Sequence, residues 1–350
     1  MQTIPMAAEP PETNRESSTE RTPQEGTPTT DAPSAPARPN PRQKRKRERK
    51  IASPYAPSVW PTWLVIGFAW VVARLPLSWL FTVGRWVGNL LFRLAHDRRH
   101  VTMVNLRLCF PEQSETERLD MARRVFQQLG IGALELMMPW LNPKRDLSDR
   151  FTIEGQAHLD AALAEGRGVI LIGAHYAVMD TIAKPLSECG PIDVMYRFNK
   201  NPAWEWLQVQ GRKHYFDGVI EREDIRQTLR RLKRGRAIWY AADQDYGPNH
   251  SVFAPFFGVQ AATIVATSRF ARLNNSPVLL LTQTRDVEAM RWTIKFSPVI
   301  EGFPSGDDVQ DATLMNGLIE AEVRQYPDQY LWVHKRFKTR PEGEGSPYKL

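Results

Sequence analysis

From Val59 to Ala73 the chain is almost wholly apolar, and beyond Arg74 and Pro76 a second apolar run, Leu77 to Leu94, is interrupted by Arg85 and Arg93. The first run falls short of the roughly 20 residues needed to cross a bilayer comfortably. Arg74 and Arg85 fall only about 20° apart around a helix. The pattern predicts helices lying in a membrane interface, with Trp60, Trp63, Trp70, Trp79 and Trp86 at headgroup level. A tilted span with snorkelling arginines is the alternative. Residues 98–141 keep a helical period, and Ser114 and Glu117 stand at capping-box spacing before it. From Phe151 onward the texture changes. Short apolar runs at 169–172, 192–196, 237–241, 278–282 and 292–296 read as strands. Helical patterns near 156–165, 177–188, 202–214, 223–234, 261–273 and 308–325 fall between or after them. This alternation predicts an α/β fold, a mostly parallel central sheet flanked by helices, preceded by membrane-associated N-terminal helices.

Composition adds a different kind of segment at the start. Residues 1–41 are rich in Pro, Thr, Glu and Ser, bury too little to offset ordering entropy, and are expected to be disordered. Arg42 to Lys50 then carries seven basic residues against one acid. Standing directly before the most apolar stretch, this run reads as an anionic-lipid contact rather than a nucleic-acid patch. The net charge of +7 suits anionic partners. The two cysteines, Cys109 and Cys189, form neither a disulfide framework nor a metal-ligand spacing. No apolar core of a cleavable signal occurs at the start. The expected plan is an arm over 1–50, an anchoring helical region over 51–97, and a domain over 98–350 with a helical appendage (98–150) and an α/β core (151–350).

Candidate chemistry gathers where strands end. The apolar run Val169 to Ile172 stops at Gly173 and Ala174, so His175 emerges at the sheet's carboxyl edge, where open α/β sheets hold ligands. Asp180 follows five residues later and shares no helix face with it. The two meet only if His175 lies on the turn and Asp180 in the first helical turn. The carboxylate would then orient the ring, leaving the other nitrogen to take a proton from an alcohol. A packed histidine and an acid at a helix start would look the same in sequence. Arg197 follows the next strand and suits a phosphate or an oxyanion. Asp243 and Asp245 follow a third; they suit a metal, a substrate hydroxyl or Arg197, or simply a turn. In the tail, Lys335, Arg336, Lys338 and Arg340 interleave with Trp332 and Phe337 as a patch for an anionic headgroup, with His334 able to touch a phosphate. His250 reads as a loop residue, and the row Arg226, Arg230, Arg234 as a solvated helix face.

Taken together these blocks resemble the late acyltransferases of bacterial lipid A biosynthesis, within the lysophospholipid acyltransferase superfamily, over roughly residues 58–348. The resemblance is carried by Asn105 to Pro111, His175 with Asp180, Tyr196 to Asn199, Trp204 to Arg212, Asp243 to Pro248, Ser251 to Gly258 and Gln329 to Pro341. The last two blocks are long and specific, and look most like the lauroyltransferase type. The resemblance implies a glycerol-phosphate acyltransferase-like fold and transfer of a fatty acyl chain from acyl carrier protein to a hydroxyl of Kdo-bearing lipid IVA. His175 would be the general base and Asp180 its partner, a position where the family admits Glu or Asp. Arg197 would lie at the phosphate or oxyanion position, and Asp243 and Asp245 would support the site. Lys335 and Arg336 complete the expected substrate-binding set, with no metal and no cofactor. Anionic lipids of the bacterial inner membrane, on its cytoplasmic face, are the expected surroundings. No Gly-x-Ser-x-Gly elbow is present, so direct transfer without an acyl-enzyme is expected. Acylation of another membrane lipid (glycolipid, ornithine lipid or lysophosphatidate) is the alternative, and a metal-dependent hydrolase using His175, Asp180, Asp243, Asp245 and His250 a more distant one.

Overall fold

The computed structural model describes residues 53–349; the expectations for the 1–50 arm and its basic run lie outside the described residues. The chain opens with α1 (Trp60–Val72) and α2 (Leu77–Leu94), separated by a turn at Pro76. Next come α3 (His96–Cys109), α4 (Glu115–Glu135) and the short α5 (Met137–Leu141). The capping box forms as the spacing predicts: Ser114 Oγ accepts from Glu117 N and Glu117 Oε2 accepts from Ser114 N. Such a cap contributes about 1 kcal/mol. Helices α2 and α4 approach backbone to backbone, because glycine stands at each contact. A Cβ on Gly88 would lie 2.2 Å from Phe126 O, and one on Gly130 2.1 Å from Gly84 O.

The α/β part comprises β1 (Phe151–Glu154), α6 (Gln156–Ala164), β2 (Val169–Gly173), α7 (Ala183–Glu188), β3 (Ile192–Tyr196), α8 (Pro202–Lys213), β4 (Val219–Glu221), α9 (Ile225–Leu232) and β5 (Ala237–Ala241). It continues with β6 (Ser251–Phe256), β7 (Val259–Ile264), α10 (Ala266–Asn274), β8 (Val278–Asp286), β9 (Arg291–Phe296) and α11 (Asp308–Gln325). Seven strands form one sheet in the order β1-β9-β8-β2-β5-β3-β4. The sheet is mostly parallel: β9 runs antiparallel to β8 and β1 parallel to β9, so only those two oppose the rest. Every residue of β2 is buried, the mark of a strand covered on both faces. Ile170 and Ile172 join the apolar layer of α3, α4 and α11, while Val169 and Leu171 join that of α1, α2 and α8.

Three local expectations change. The pattern read as a helix over 261–273 is β7 followed by α10, because Ser251–Phe256 and Val259–Ile264 pair as an antiparallel hairpin. Residues 177–188 are helical only from the 3₁₀ turn Asp180–Ile182 onward. The short strands β1 and β4 lack the apolar runs that announced the others. A buried ion pair, Glu135 with Arg285, crosses from α4 to β8. Trp292 Nε1 donates to the same carboxylate, and Gln329 exchanges hydrogen bonds with the Arg285 backbone. Burial raises the Glu135 carboxyl even against the guanidinium beside it. No helix among the described residues is long and apolar enough to cross a membrane. Trp60, Leu64 and Phe68 on α1 and Trp79 and Trp86 on α2 nonetheless stand exposed.

Candidate active site

Strands β2 and β5 pair in parallel with Gly173 opposite Ala241. Two residues beyond each, His175 and Asp243 leave the sheet side by side. His175 Nδ1 lies 2.6 Å from Asp243 Oδ1. An ionised carboxylate only accepts, so Nδ1 carries a proton, and in the neutral ring Nε2 presents its lone pair. Burial alone would raise the Asp243 carboxyl, but the charge and hydrogen bonds of His175 outweigh it and bring it down to about 2. The Tyr330 hydroxyl also donates to Asp243. The His175 side chain keeps 19% of its surface exposed, whereas Asp243 is sealed. An imidazole backed by a buried acid and open on its far nitrogen is the arrangement of a general base.

The expected His175–Asp180 pair is not formed. Both Asp180 oxygens are held by Arg212 of α8, at 2.7 Å from Nε and 2.7 Å from Nη2. The cause lies in the tail. Ala177 N donates to Gln329 O and Leu331 N to His175 O, with Tyr176 and Tyr330 bridged in antiparallel fashion. This short ladder keeps the chain after His175 extended. Asp180 therefore enters its 3₁₀ turn facing α8, not the imidazole. The sequence offered two acids as partners, and the register of β2 with β5 selects the one distant in sequence.

Arg197 does stand at the carboxyl end of β3, exposed, and among the described residues it makes no ion pair. Its charge reaches His334 and Tyr246. Glu205 braces the loop that carries it, accepting from Tyr196 Oη, Asn199 N and Gln208 Nε2 at 2.8, 2.8 and 2.6 Å. Asp245 instead pins the tail, accepting from Gly247 N, Thr339 N and Thr339 Oγ1 at 2.8, 2.8 and 2.9 Å. Arg336 is not part of an exposed headgroup patch. It is buried and donates to Ala262 O, Thr263 Oγ1 and Asn316 Oδ1, joining the tail to β7 and α11. Lys335 remains exposed, its ammonium 5.6 Å from the Tyr348 ring. Among the described residues no three His, Cys, Asp or Glu side chains converge to hold a metal ion.

Two participants, Tyr330 and Asn105, are not singled out by sequence reasoning. Asn105, fully buried on α3, donates from Nδ2 to Trp332 O (2.7 Å) and His334 O (2.8 Å), and its Oδ1 accepts from the Tyr348 hydroxyl. An amide amid the apolar residues Val104 and Leu106 was the available signal. The clamp holds His334 with its ring centroid 6.0 Å from that of His175. Partial burial, then the neighbouring His175, lower the His334 pKa to about 4, although the ring stays open to solvent on one side.

Residues 48–339 match the family described as Bacterial lipid A biosynthesis acyltransferase. The chain is 36% identical over 293 residues to the lipid A biosynthesis palmitoleoyltransferase of Escherichia coli K12, covering 83% of this chain and 95% of that protein. Identity to the lipid A biosynthesis lauroyltransferase of the same organism is also 36%, over 83% and 96% of the two chains. The lipid A biosynthesis myristoyltransferase is more distant, at 27% over 84% and 91%.

Proposed function

Because this chain belongs to the bacterial lipid A biosynthesis acyltransferase family and is an acyltransferase, we propose that it moves a fatty acyl chain, lauroyl-like in length, from acyl carrier protein to a hydroxyl of Kdo-bearing lipid IVA. Residues 98–350 form the acyltransferase domain in this reading. Residues 51–97 anchor it to anionic lipid on the cytoplasmic face of the inner membrane. The higher identity to the lauroyl- and palmitoleoyltransferases than to the myristoyltransferase favours the former side of the family. Equal identity to those two leaves chain length to be read from products.

The observation that carries the mechanism is the 2.6 Å contact of His175 Nδ1 with Asp243, with the opposite nitrogen open at the sheet's edge. His175 Nε2 takes the proton of the acceptor hydroxyl as its oxygen attacks the thioester carbon. Asp243 stabilises the resulting imidazolium. Collapse of the tetrahedral intermediate breaks the carbon–sulfur bond, and the departing thiolate recovers the proton from His175. The ester and a free thiol are the products, and the base returns neutral. The cation of Arg197 lies at the rim, placed for an anionic group of the acceptor. Lys335, exposed in the tail beside Tyr348, is assigned to a second anionic group of the acceptor. Asp180 acts through Arg212 as a brace for α8.

The test uses purified protein with lauroyl-acyl carrier protein and Kdo-bearing lipid IVA in detergent micelles, products read by mass spectrometry. His175→Ala is expected to lower kcat by a factor on the order of 10³. Acyl-enzyme accumulating without acceptor, or a His175→Ala protein of near-normal turnover, overturns the mechanism. Acylation of a different membrane lipid in preference to lipid IVA overturns the acceptor assignment.

A further inference from the structure

Two imidazoles share the mouth of the site, and the mechanism so far uses one. The His334 ring centroid lies 6.0 Å from that of His175, the planes inclined by 53°. Subtracting the ring radii leaves their edges about 4 Å apart, so hydrogen-bonding atoms of one reacting centre can touch both. Among the described residues no protein group hydrogen-bonds to the His334 ring. Its backbone, by contrast, is held tightly. His334 O accepts from Asn105 Nδ2 and from Arg336 N at 2.9 Å, and His334 N donates to Leu331 O. Arg98 fixes the preceding residue by donating to Val333 O. A ring left without a partner on so constrained a backbone is preorganised for a ligand.

Its charge state fits one role better than another. His175 has Asp243 to support a positive charge; His334 has no carboxylate in contact, and partial burial, with His175, Arg98 and Arg197 nearby, outweighs the more distant Asp243 charge. It therefore remains a neutral imidazole at ordinary pH, with one N–H to donate and no tendency to compete for the acceptor's proton.

We propose that His334 is a second catalytic residue, whose neutral N–H binds the thioester carbonyl oxygen as the acceptor hydroxyl adds to the carbonyl carbon. The proposal rests on His175 acting as the base. The two histidines then divide the reaction between its two oxygens. His175 removes the proton from the attacking one, and His334 holds the negative charge that develops on the other. No proton leaves His334. When the carbonyl re-forms, the hydrogen bond weakens and the thiolate departs with the proton from His175. Asn105 is the positioning residue that holds His334 in place.

The experiment compares His334→Ala, His334→Gln, Asn105→Ala and His175→Ala in the full chain with the same donor and acceptor. His334→Ala is expected to lower kcat about 10²-fold, the effect of one lost oxyanion donor. KM for both substrates should stay within about threefold. The melting temperature should be unchanged. His334→Gln, which restores an N–H near the ring's outer edge, should regain about tenfold. A His334→Ala kcat close to the parent's, a loss confined to KM, or a His334→Gln no faster than the alanine variant overturns the proposal. Should the alanine variant fail to fold, His334→Leu against His334→Gln makes the same comparison, with and without the donor. Turnover surviving in His175→Ala is a separate result and removes the base assignment instead.

Discussion

At the residue scale, the active imidazole is defined by which acid it meets. Asp243 is buried, ionised and bonded to His175, so replacing it with Asn keeps the shape and removes the charge. The amide would also favour the wrong imidazole tautomer. Asp243→Asn is expected to lower kcat by roughly 10²–10⁴, with the melting temperature checked in parallel. The pH dependence of stability follows from two depressed pKa values. Asp243 sits at about 2 in the folded chain against an ordinary 3.8. Its contribution is complete above the unfolded value and is lost as pH falls from about 4 toward 2. His334 sits at about 4 against 6.5, so the unfolded chain binds its proton first and stability declines as pH falls through that interval. Histidine NMR should show the His334 ring still neutral at about pH 5, and a ring already charged at pH 6 would contradict the geometry of the pair.

At the scale of elements, the short apolar runs were legible because they mark strands buried along most of their length (β2, β3, β5, β8) or, in β9, on alternate residues, and all five fall where hydrophobicity placed them. The carboxyl-edge rule then brought His175, Arg197 and Asp243 to one end of the sheet. What pattern alone could not supply was register. Gly173 opposite Ala241 is a tertiary fact, and it decides between Asp180 and Asp243. The hairpin β6–β7 was hidden for a related reason: Val259 to Ile264 contains two alanines and an apolar period too short to separate strand from helix. Two substitutions test the observed packing. Asp180→Asn removes the charge from one partner of a largely buried ion pair, a change expected to cost about 3–5 kcal/mol. The turnover of the molecules that still fold should change little. Gly88→Ala pushes a methyl into the α4 backbone at Phe126 and should cost about 1–3 kcal/mol, read from denaturant midpoints.

At the scale of the whole molecule, the site and the exposed apolar surface belong to different elements. One end of the sheet carries the site, and the two N-terminal helices leave Trp60, Leu64, Phe68, Trp79 and Trp86 facing outward. Apolar surface of this extent on adjacent helices marks a contact site, and in the proposed reading its partner is lipid. Burying one Leu and one Phe contributes roughly 3 kcal/mol or more. Leu64→Ser with Phe68→Ser should therefore weaken co-sedimentation with anionic vesicles by more than about tenfold. Undiminished sedimentation would place the lipid contact elsewhere.

The tail that crosses His175 has a bearing on how much of the chain the reaction centre needs. Among the described residues all nine strands are complete by Phe296, yet the ladder at Gln329 to Leu331 and the imidazole of His334 come later in the chain. A chain that ends before Gln329 holds every one of those strands and His175, but lacks both the ladder that crosses His175 and the His334 imidazole. A version of the protein shortened to end before Gln329 should therefore be inert toward any thioester.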